Sequence, residues 1–208
     1  MGRGRRAVPG RPVTDPSELR VRVAEVVAGD ELAGVPSWLW DGRSLPVPVE
    51  VIADSHYGLR VEEVPGLASR LGPPDTIHLS GLLDPVQRVI LIDAEEAARA
   101  PGRRRFSIAH ELGHWVLHCK DASAETFWCE DSNVDSGPPG EASRPLADPV
   151  RELEANAFAA AVLMPSDLLL AQERPRGEDE EYRLAGRLGV SREALLRRYE
   201  TLDRSGRG

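Results

Sequence analysis

The sequence predicts an α+β fold in which a small, antiparallel sheet precedes a series of helices. Three strand-like segments follow one another closely, and helical periodicity dominates the chain from about residue 103 onward. The strongest strand is RVILID (88–93), a β-branched run bounded by polar residues. Before it come LRVEEV (59–64) and TIHLSGLL (76–83), which the breaker LGPPD separates. We therefore expect one sheet packed against the helices.

The composition indicates a globular protein and excludes several function classes. Of the 208 residues, 41% are hydrophobic and 29% are charged, which suits one domain with its own core. No apolar run approaches the roughly 18 residues that cross a bilayer. The basic start also lacks the apolar stretch of a secretory signal. The net charge of −8 argues against a nucleic-acid-binding surface. We therefore expect a cytoplasmic protein that binds neither membranes nor nucleic acids directly.

The chain divides into one expected domain and two terminal segments. Residues 1–14 are typical of a disordered basic leader, 15–203 of a single domain, and 204–208 of a disordered tail. Within the domain, residues 119–148 form an acidic segment rich in Gly, Pro and Ser. A loop of that length is expected to be either mobile or functional, for example as a flap beside a cleft.

Several helices are predicted from apolar spacing, caps and breakers. In the first of them, Leu19, Val23 and Val26 recur at helical spacing. Prolines bracket the helix at 149–163, one at its first turn and one just beyond its end. The predicted segments are DPSELRVRVAEVVAG, VPVEVIADSHYG, residues 103–118, residues 149–163, DLLLAQE after the cap Ser166, EEYRLAGRLG, and REALLRRYETL after the cap Ser191.

The segment FSIAHELGHWVLH (106–118) carries the strongest functional signal. At about 100° per residue on a helix, His114 lies about 40° from His110, His118 about 80° and Glu111 about 100°. Two imidazoles four residues apart can direct ring nitrogens to one metal ion. Zn²⁺ is the expected ion, and Mn²⁺ is an alternative. Glu111 lies too far round to join them easily and suits the general base of an H-E-x-x-H peptidase.

The rest of this helix is consistent with such a site. Its apolar residues gather on the adjoining face, so the helix should lie half in the core with its histidines toward a cleft. Gly113 lacks a side chain, which leaves room near the metal for a neighbouring backbone. The competing interpretation is an amphipathic helix with solvated histidines. That interpretation has to explain why three of the five histidines share one arc of about 80°.

The third metal ligand is expected on the segment ELEANAFAAAVLMP (152–165). Glu152 lies about 60° from the centre of its apolar face, whereas Glu154 lies about 100° away on the other flank. A ligand must face the partner helix at the edge of the core, so Glu152 is favoured over Glu154. Asn156 would then orient a ligand through a hydrogen bond. The alternative is that all three polar residues are simply solvated.

His118 and the two cysteines have weaker claims to a function. His118 lies on the cleft side, where it could assist an oxyanion or a leaving group. A solvated or hydrogen-bonded histidine is the simpler interpretation. Cys119 falls on the core side of the helix and is expected to be a buried thiol. Cys119 and Cys129 are too few for a disulfide framework, so free thiols are favoured and a single bridge is the alternative.

The two motifs RRRFSIAHELGHWVLH and ELEANAFAAAVLMP, in this order, resemble the ImmA/IrrE-type metallopeptidases. The resemblance implies a zincin-like catalytic core, in which a small sheet precedes the active-site helix and a second helix supplies a glutamate. It further implies that His110 and His114 are zinc ligands, that Glu111 is the catalytic base, and that Glu152 is the third ligand. The match to the family's Glu-x-x-x-Asn/Asp arrangement also favours Glu152 over Glu154.

The resemblance implies a zinc-dependent endopeptidase. Members of the family are similar in cleaving a helix-turn-helix transcriptional repressor, which derepresses mobile-element or stress-response genes. The expected partner is therefore a protein substrate of that kind. The alternative is a non-cleaving, zinc-dependent binding module that sequesters a regulatory protein. The intact H-E-x-x-H motif favours the enzyme, because a structural zinc site needs four protein ligands and no base.

Overall fold

The computed structural model describes four stretches of the chain: residues 15–67, 80–119, 127–129 (backbone only) and 148–205. The predicted leader (1–14), most of the predicted loop (119–148) and residues 206–208 lie outside these stretches, so the disorder predicted for the two ends stays a prediction. Within the described part of the chain, no helix combines the length and apolar character needed to cross a bilayer.

The predicted helices and strands occur in the order that the sequence predicts, together with two elements that it does not predict, at Ala94–Arg99 and Phe127–Cys129. In full, the elements are α1 (Pro16–Ala33), α2 (Val49–Val51) with a π-helical turn (Ile52–His56), β1 (Arg60–Val64), β2 (Gly81–Asp84), β3 (Val89–Asp93), α3 (Ala94–Arg99), α4 (Pro101–His114) with a π-helical turn (Trp115–Cys119), β4 (Phe127–Cys129), α5 (Pro149–Leu163), α6 (Ser166–Leu170), α7 (Glu178–Leu188) and α8 (Arg192–Ser205). The predicted α+β class is confirmed. The strand β4 lies inside the predicted loop, and α8 runs two residues past the predicted domain end at 203.

The sheet is mixed, and the prediction of a wholly antiparallel sheet is wrong. Its strand order is β1-β3-β2-β4. Strands β2 and β3 form an antiparallel hairpin, and β4 is antiparallel to β2, but β1 pairs with β3 in parallel. The hairpin turn is closed by Asp84, whose carboxylate accepts hydrogen bonds from the backbone N–H groups of Val86 and Gln87. The chain thus places β1 beside β3 and not beside β2, the next strand in the sequence.

Helix α1 packs through a face of small residues. Ala24 and Ala28 are buried, whereas Leu19, Val23 and Val26, whose spacing predicts the helix, are more than half exposed. Alanines allow two helix backbones to approach closely, and α1 makes an extensive contact with α5. Arg20 precedes Ala24 by one turn and therefore lies on the same face of α1. This arrangement brings Arg20 to the side of α5.

Two arginines fix the start of α4. Arg104 forms two hydrogen bonds with the carboxylate of Glu50, at 2.7 and 2.9 Å. Arg105 donates to the backbone carbonyls of Val47 and Gly189, at 2.6 and 3.1 Å. Such charge-assisted, multidentate contacts set the orientation of a helix more firmly than one exposed ion pair does. Helix α4 therefore enters the core from an anchored N-terminal end.

Candidate metal centre

From Ser107 onward, helix α4 is buried on both of its faces. Every residue from Ser107 to His114 is buried, with His110 7% and His114 1% exposed. The predicted apolar face packs in the core, as expected. The histidine face is covered as well, because α5 lies across it. The sequence predicts that this helix lies half in the core, whereas in the structure its histidine-bearing part is nearly enclosed.

Gly113 allows the two helices to meet closely. A Cβ atom at this position would lie 3.2 Å from both the Cα and the carbonyl oxygen of Ala155. A rigid backbone on α5 leaves little space for any side chain there. The prediction that Gly113 makes room for a neighbouring backbone is confirmed. Since Glu152 precedes Ala155 by three residues, this close approach also brings the carboxylate of Glu152 to the histidines.

Three potential ligand groups converge between α4 and α5. The Nε2 atoms of His110 and His114 lie 3.0 Å apart. The carboxylate of Glu152 places Oε2 3.2 Å from His110 Nε2 and Oε1 3.2 Å from His114 Nε2. Zinc ligands at about 2.0–2.1 Å and tetrahedral angles are separated by about 3.3 Å, so these distances fit a shared ion. Among the described residues, these three form the group that is suited to holding a metal ion.

The second nitrogen of each imidazole also has a partner. His110 Nδ1 lies 3.0 Å from Oδ1 of Asn156, which occupies the next turn of α5 after Glu152. His114 Nδ1 lies 3.1 Å from Nδ1 of His118. Partners of this kind fix the ring orientation and leave Nε2 as the nitrogen that binds a metal. The structure thus places Asn156 where the sequence predicts it.

Glu154, the alternative ligand, points elsewhere. Its Oε2 atom lies 3.0 Å from His118 Nε2, and its Oε1 accepts a hydrogen bond of 2.8 Å from Arg20 of α1. His118 is therefore nearly buried and hydrogen-bonded, not solvated, since its side chain is 7% exposed. The structure brings together the favoured set of His110, His114 and Glu152 and separates Glu154 from it.

The surroundings shift the pKa values of the two histidines in opposite directions. Burial opposes protonation of His110, but the hydrogen bond to Glu152 and the negative charges of Glu111 and Glu152 outweigh it and raise the pKa of His110. At His114 burial dominates and lowers the pKa to about 4. Burial also acts on Glu152, but hydrogen bonds from both imidazoles lower the pKa of its carboxyl to about 2. Among these three groups, His110 is therefore the one whose protonated form the surroundings favour.

Zinc binding is expected to release a proton from His110 at any pH below the pKa of that residue. His110 Nε2 has to be unprotonated to bind a metal, and the raised pKa of His110 means that the proton competes with the metal up to a higher pH than in an ordinary histidine. Zinc affinity should therefore increase as the pH rises through the pKa of His110. Titration calorimetry in two buffers of different ionisation enthalpy measures the release. Equal heats in both buffers would contradict the prediction.

Glu111 lies on the sheet side of α4, directly after His110. Its side chain is 1% exposed. A Cβ atom built on Gly81 of β2 would come within 2.9 Å of Glu111 Oε1, so the carboxylate occupies the space that a side chain at position 81 would fill. Sequence reasoning missed Gly81. A glycine inside a strand is a recognised signal for close approach of another group, and TIHLSGLL contains one.

The half-buried thiol of Cys119 follows the histidines at the end of the π-helical turn. It is a free cysteine, in agreement with the favoured prediction. Burial raises its pKa to about 11, which makes it a poor nucleophile at neutral pH. The side chain of Cys129 lies outside the described residues.

Comparison with known proteins agrees with the geometry of the site. Residues 58–200 match the family described as the IrrE N-terminal-like domain, peptidase M78. The chain is also 31% identical over 152 residues to the radiation response metalloprotease IrrE of Deinococcus radiodurans. The match covers 73% of this chain but 41% of that relative, so the chain spans less than half of the relative's length. The family match runs from just before β1 into α8 and includes His110, His114 and Glu152, and the chain therefore belongs to the IrrE N-terminal-like peptidase family.

Proposed function

We propose that this protein is a zinc-dependent endopeptidase. The observation that carries the proposal is the convergence of two imidazole nitrogens and one carboxylate, at 3.0 to 3.2 Å from one another, beside the buried Glu111. Three protein ligands are typical of catalytic zinc, whereas structural zinc sites have four. The membership of a metallopeptidase family supports the same interpretation.

The proposed mechanism assigns a role to each side chain. His110 and His114 hold the metal through Nε2, and Glu152 holds it through its carboxylate. Bound zinc would polarise the scissile carbonyl as a Lewis acid and would make an attacking water more acidic. Glu111 accepts the proton of that water at its carboxylate as the carbonyl carbon is attacked. It then passes the proton to the nitrogen of the leaving amine. Asn156 keeps His110 oriented throughout.

Replacement of Gly81 by alanine is expected to slow cleavage while zinc stays bound. The new methyl group would displace the Glu111 carboxylate, which lies within 2.9 Å of its position. Since small displacements of a catalytic group are costly, we expect kcat to fall by roughly ten- to a hundredfold. Gly29→Ala is the matched control, because a Cβ atom there meets nothing within 4 Å. Unchanged kcat in Gly81→Ala would show that Glu111 tolerates the methyl group.

The proposed substrate is a helix-turn-helix transcriptional repressor. Two points support it: the family to which the chain belongs, and a relative whose name joins a metalloprotease to a radiation response. Cleavage of a repressor would switch on the genes that it controls. Such a substrate would be met in the cytoplasm, and the cytoplasmic location expected from the sequence stays a prediction.

The test is incubation with purified repressors, beginning with one encoded beside this gene. Zn²⁺ or Mn²⁺ is added in separate reactions, each with and without a chelator. Fragments that appear with metal and disappear with chelator support the proposal. A complex that forms without fragments would instead favour a binding module that sequesters the repressor. Fragments that persist in Glu111→Gln would point to a contaminating protease.

A further inference from the structure

A chain of hydrogen bonds leads from the candidate metal site, formed by His110, His114 and Glu152, to the protein surface. It begins at His114 Nδ1, which lies 3.1 Å from His118 Nδ1. His118 Nε2 lies 3.0 Å from Glu154 Oε2, and Glu154 Oε1 accepts a bond of 2.8 Å from Arg20. Exposure of the side chains increases outward, from 1% at His114 through 7% and 19% to 50% at Arg20. We call these four residues the relay.

Proton positions in the relay follow from the metal. If His114 Nε2 binds a metal, its single proton lies on Nδ1 and is donated to His118 Nδ1. His118 then carries its own proton on Nε2 and donates it to Glu154, which as a carboxylate can only accept. Arg20 can only donate, so it satisfies the other oxygen. Both histidine bonds thus run outward to Glu154, and the bond from Arg20 meets the other oxygen of that carboxylate from the opposite side. This arrangement leaves His114 Nε2 without a proton, as metal binding requires.

The backbone supports this placement of His118. Helix α4 widens into a π-helical turn immediately after His114, and that turn carries His118. Single π-helical turns occur frequently at functional sites, because they displace side chains from the positions that an α-helix would give them. His118 is thereby held between α4 and α5, where its two ring nitrogens meet His114 and Glu154.

We propose that His118 is a positioning residue, which fixes the tautomer and ring orientation of His114 for metal binding and is itself fixed by Glu154. Arg20 links this pair to α1. The inference rests on the proposed function, since it concerns the same metal centre. It also assigns a role to Glu154, which on sequence grounds competes with Glu152 as a ligand. His118 and Asn156 then act as equivalent supports, one for each metal-binding histidine.

The test measures zinc affinity of the full chain by competition with a chromophoric chelator. His118→Leu should weaken binding by about ten- to a hundredfold, which is typical for the loss of a partner of a metal ligand. His118→Asn should recover most of this loss, because its Oδ1 atom can accept the proton of His114 Nδ1. Glu154→Ala should weaken binding by up to about tenfold. Arg20→Gln should weaken it by no more than about fivefold, since an exposed ion pair contributes little.

Controls separate positioning from stability. Thermal unfolding of each metal-free variant shows whether an affinity change follows from a loss of fold, and Glu18→Gln removes an exposed carboxylate of α1 outside the relay. If His118→Leu does not fold, the zinc affinity of Glu154→Ala tests the proposed positioning role in its place. The proposal is overturned if His118→Leu and Glu154→Ala both bind zinc as tightly as the parent does. It is also overturned if His118→Asn loses as much zinc affinity as His118→Leu. If the parent protein bound no zinc, that result would instead contradict the proposed function.

Discussion

Replacement of Glu111 by glutamine is expected to abolish peptide cleavage while leaving one equivalent of zinc bound. Glutamine has nearly the same shape, but its amide cannot take a proton from water at neutral pH. The loss of a general base typically lowers a rate by about 10²–10⁴-fold. Glu111 is not one of the three candidate metal ligands, so the zinc content of the protein should not change. Elemental analysis and cleavage kinetics on the same preparation measure both quantities.

The internal control is the zinc content of the variant, because an inactive protein that has lost its metal says nothing about the base. A metal-loaded Glu111→Gln protein that cleaves at the parent rate would contradict the assignment. In that case another group would have to accept the proton. Within the described part of the chain, Glu111 is the buried carboxylate that borders the cluster from the sheet side.

Replacement of Glu152 by glutamine is expected to remove both zinc and activity. The change eliminates the negative charge that lies 3.2 Å from each histidine nitrogen. Since removal of a mere partner of a ligand costs about 10–100-fold in metal affinity, loss of a ligand should cost at least about a hundredfold. Dialysis against dilute zinc followed by elemental analysis measures the metal that remains.

Glu154→Gln provides the matched comparison for Glu152→Gln. It makes the same chemical change two residues further along α5, but at a carboxylate bonded to His118 and Arg20. This variant should retain a full equivalent of zinc at protein concentrations well above its dissociation constant. If the two variants lost zinc equally, the distinction between ligand and support on α5 would be wrong.

The local geometry of the site was predictable because single helices fix it. The spacing of His110 and His114 places both rings on one side of any helix that contains them. The same arithmetic separates Glu152 from Glu154 by about 200°, and the structure sends the two carboxylates to different histidines. Prolines at 149 and 165 delimited α5 because proline is tolerated in the first turn of a helix and not in its interior.

The buried face of a helix was predicted less well where the size of its side chains decides the packing more than their hydrophobicity does. In α1 the branched apolar residues are exposed, and Ala24 and Ala28 form the packed face. The reason is the close approach between α1 and α5, which only small side chains permit. Hydrophobic spacing therefore predicted the helix but not the side that it buries, and Arg20 was missed for the same reason.

The sequence by itself predicted most of the helices and strands in their order, and it predicted which side chains of α4 and of α5 face a shared site, because each of these depends on the periodicity of one element. The role of His110, His114 and Glu152 as metal ligands stays a prediction. Tertiary structure alone decided that β1 joins β3 in parallel, that Gly81 of β2 lies against Glu111, and that α1 supplies Arg20 to Glu154. These contacts join segments about 30 to 134 positions apart in the chain. They depend on how the elements pack in space, and no local pattern of residues encodes that packing.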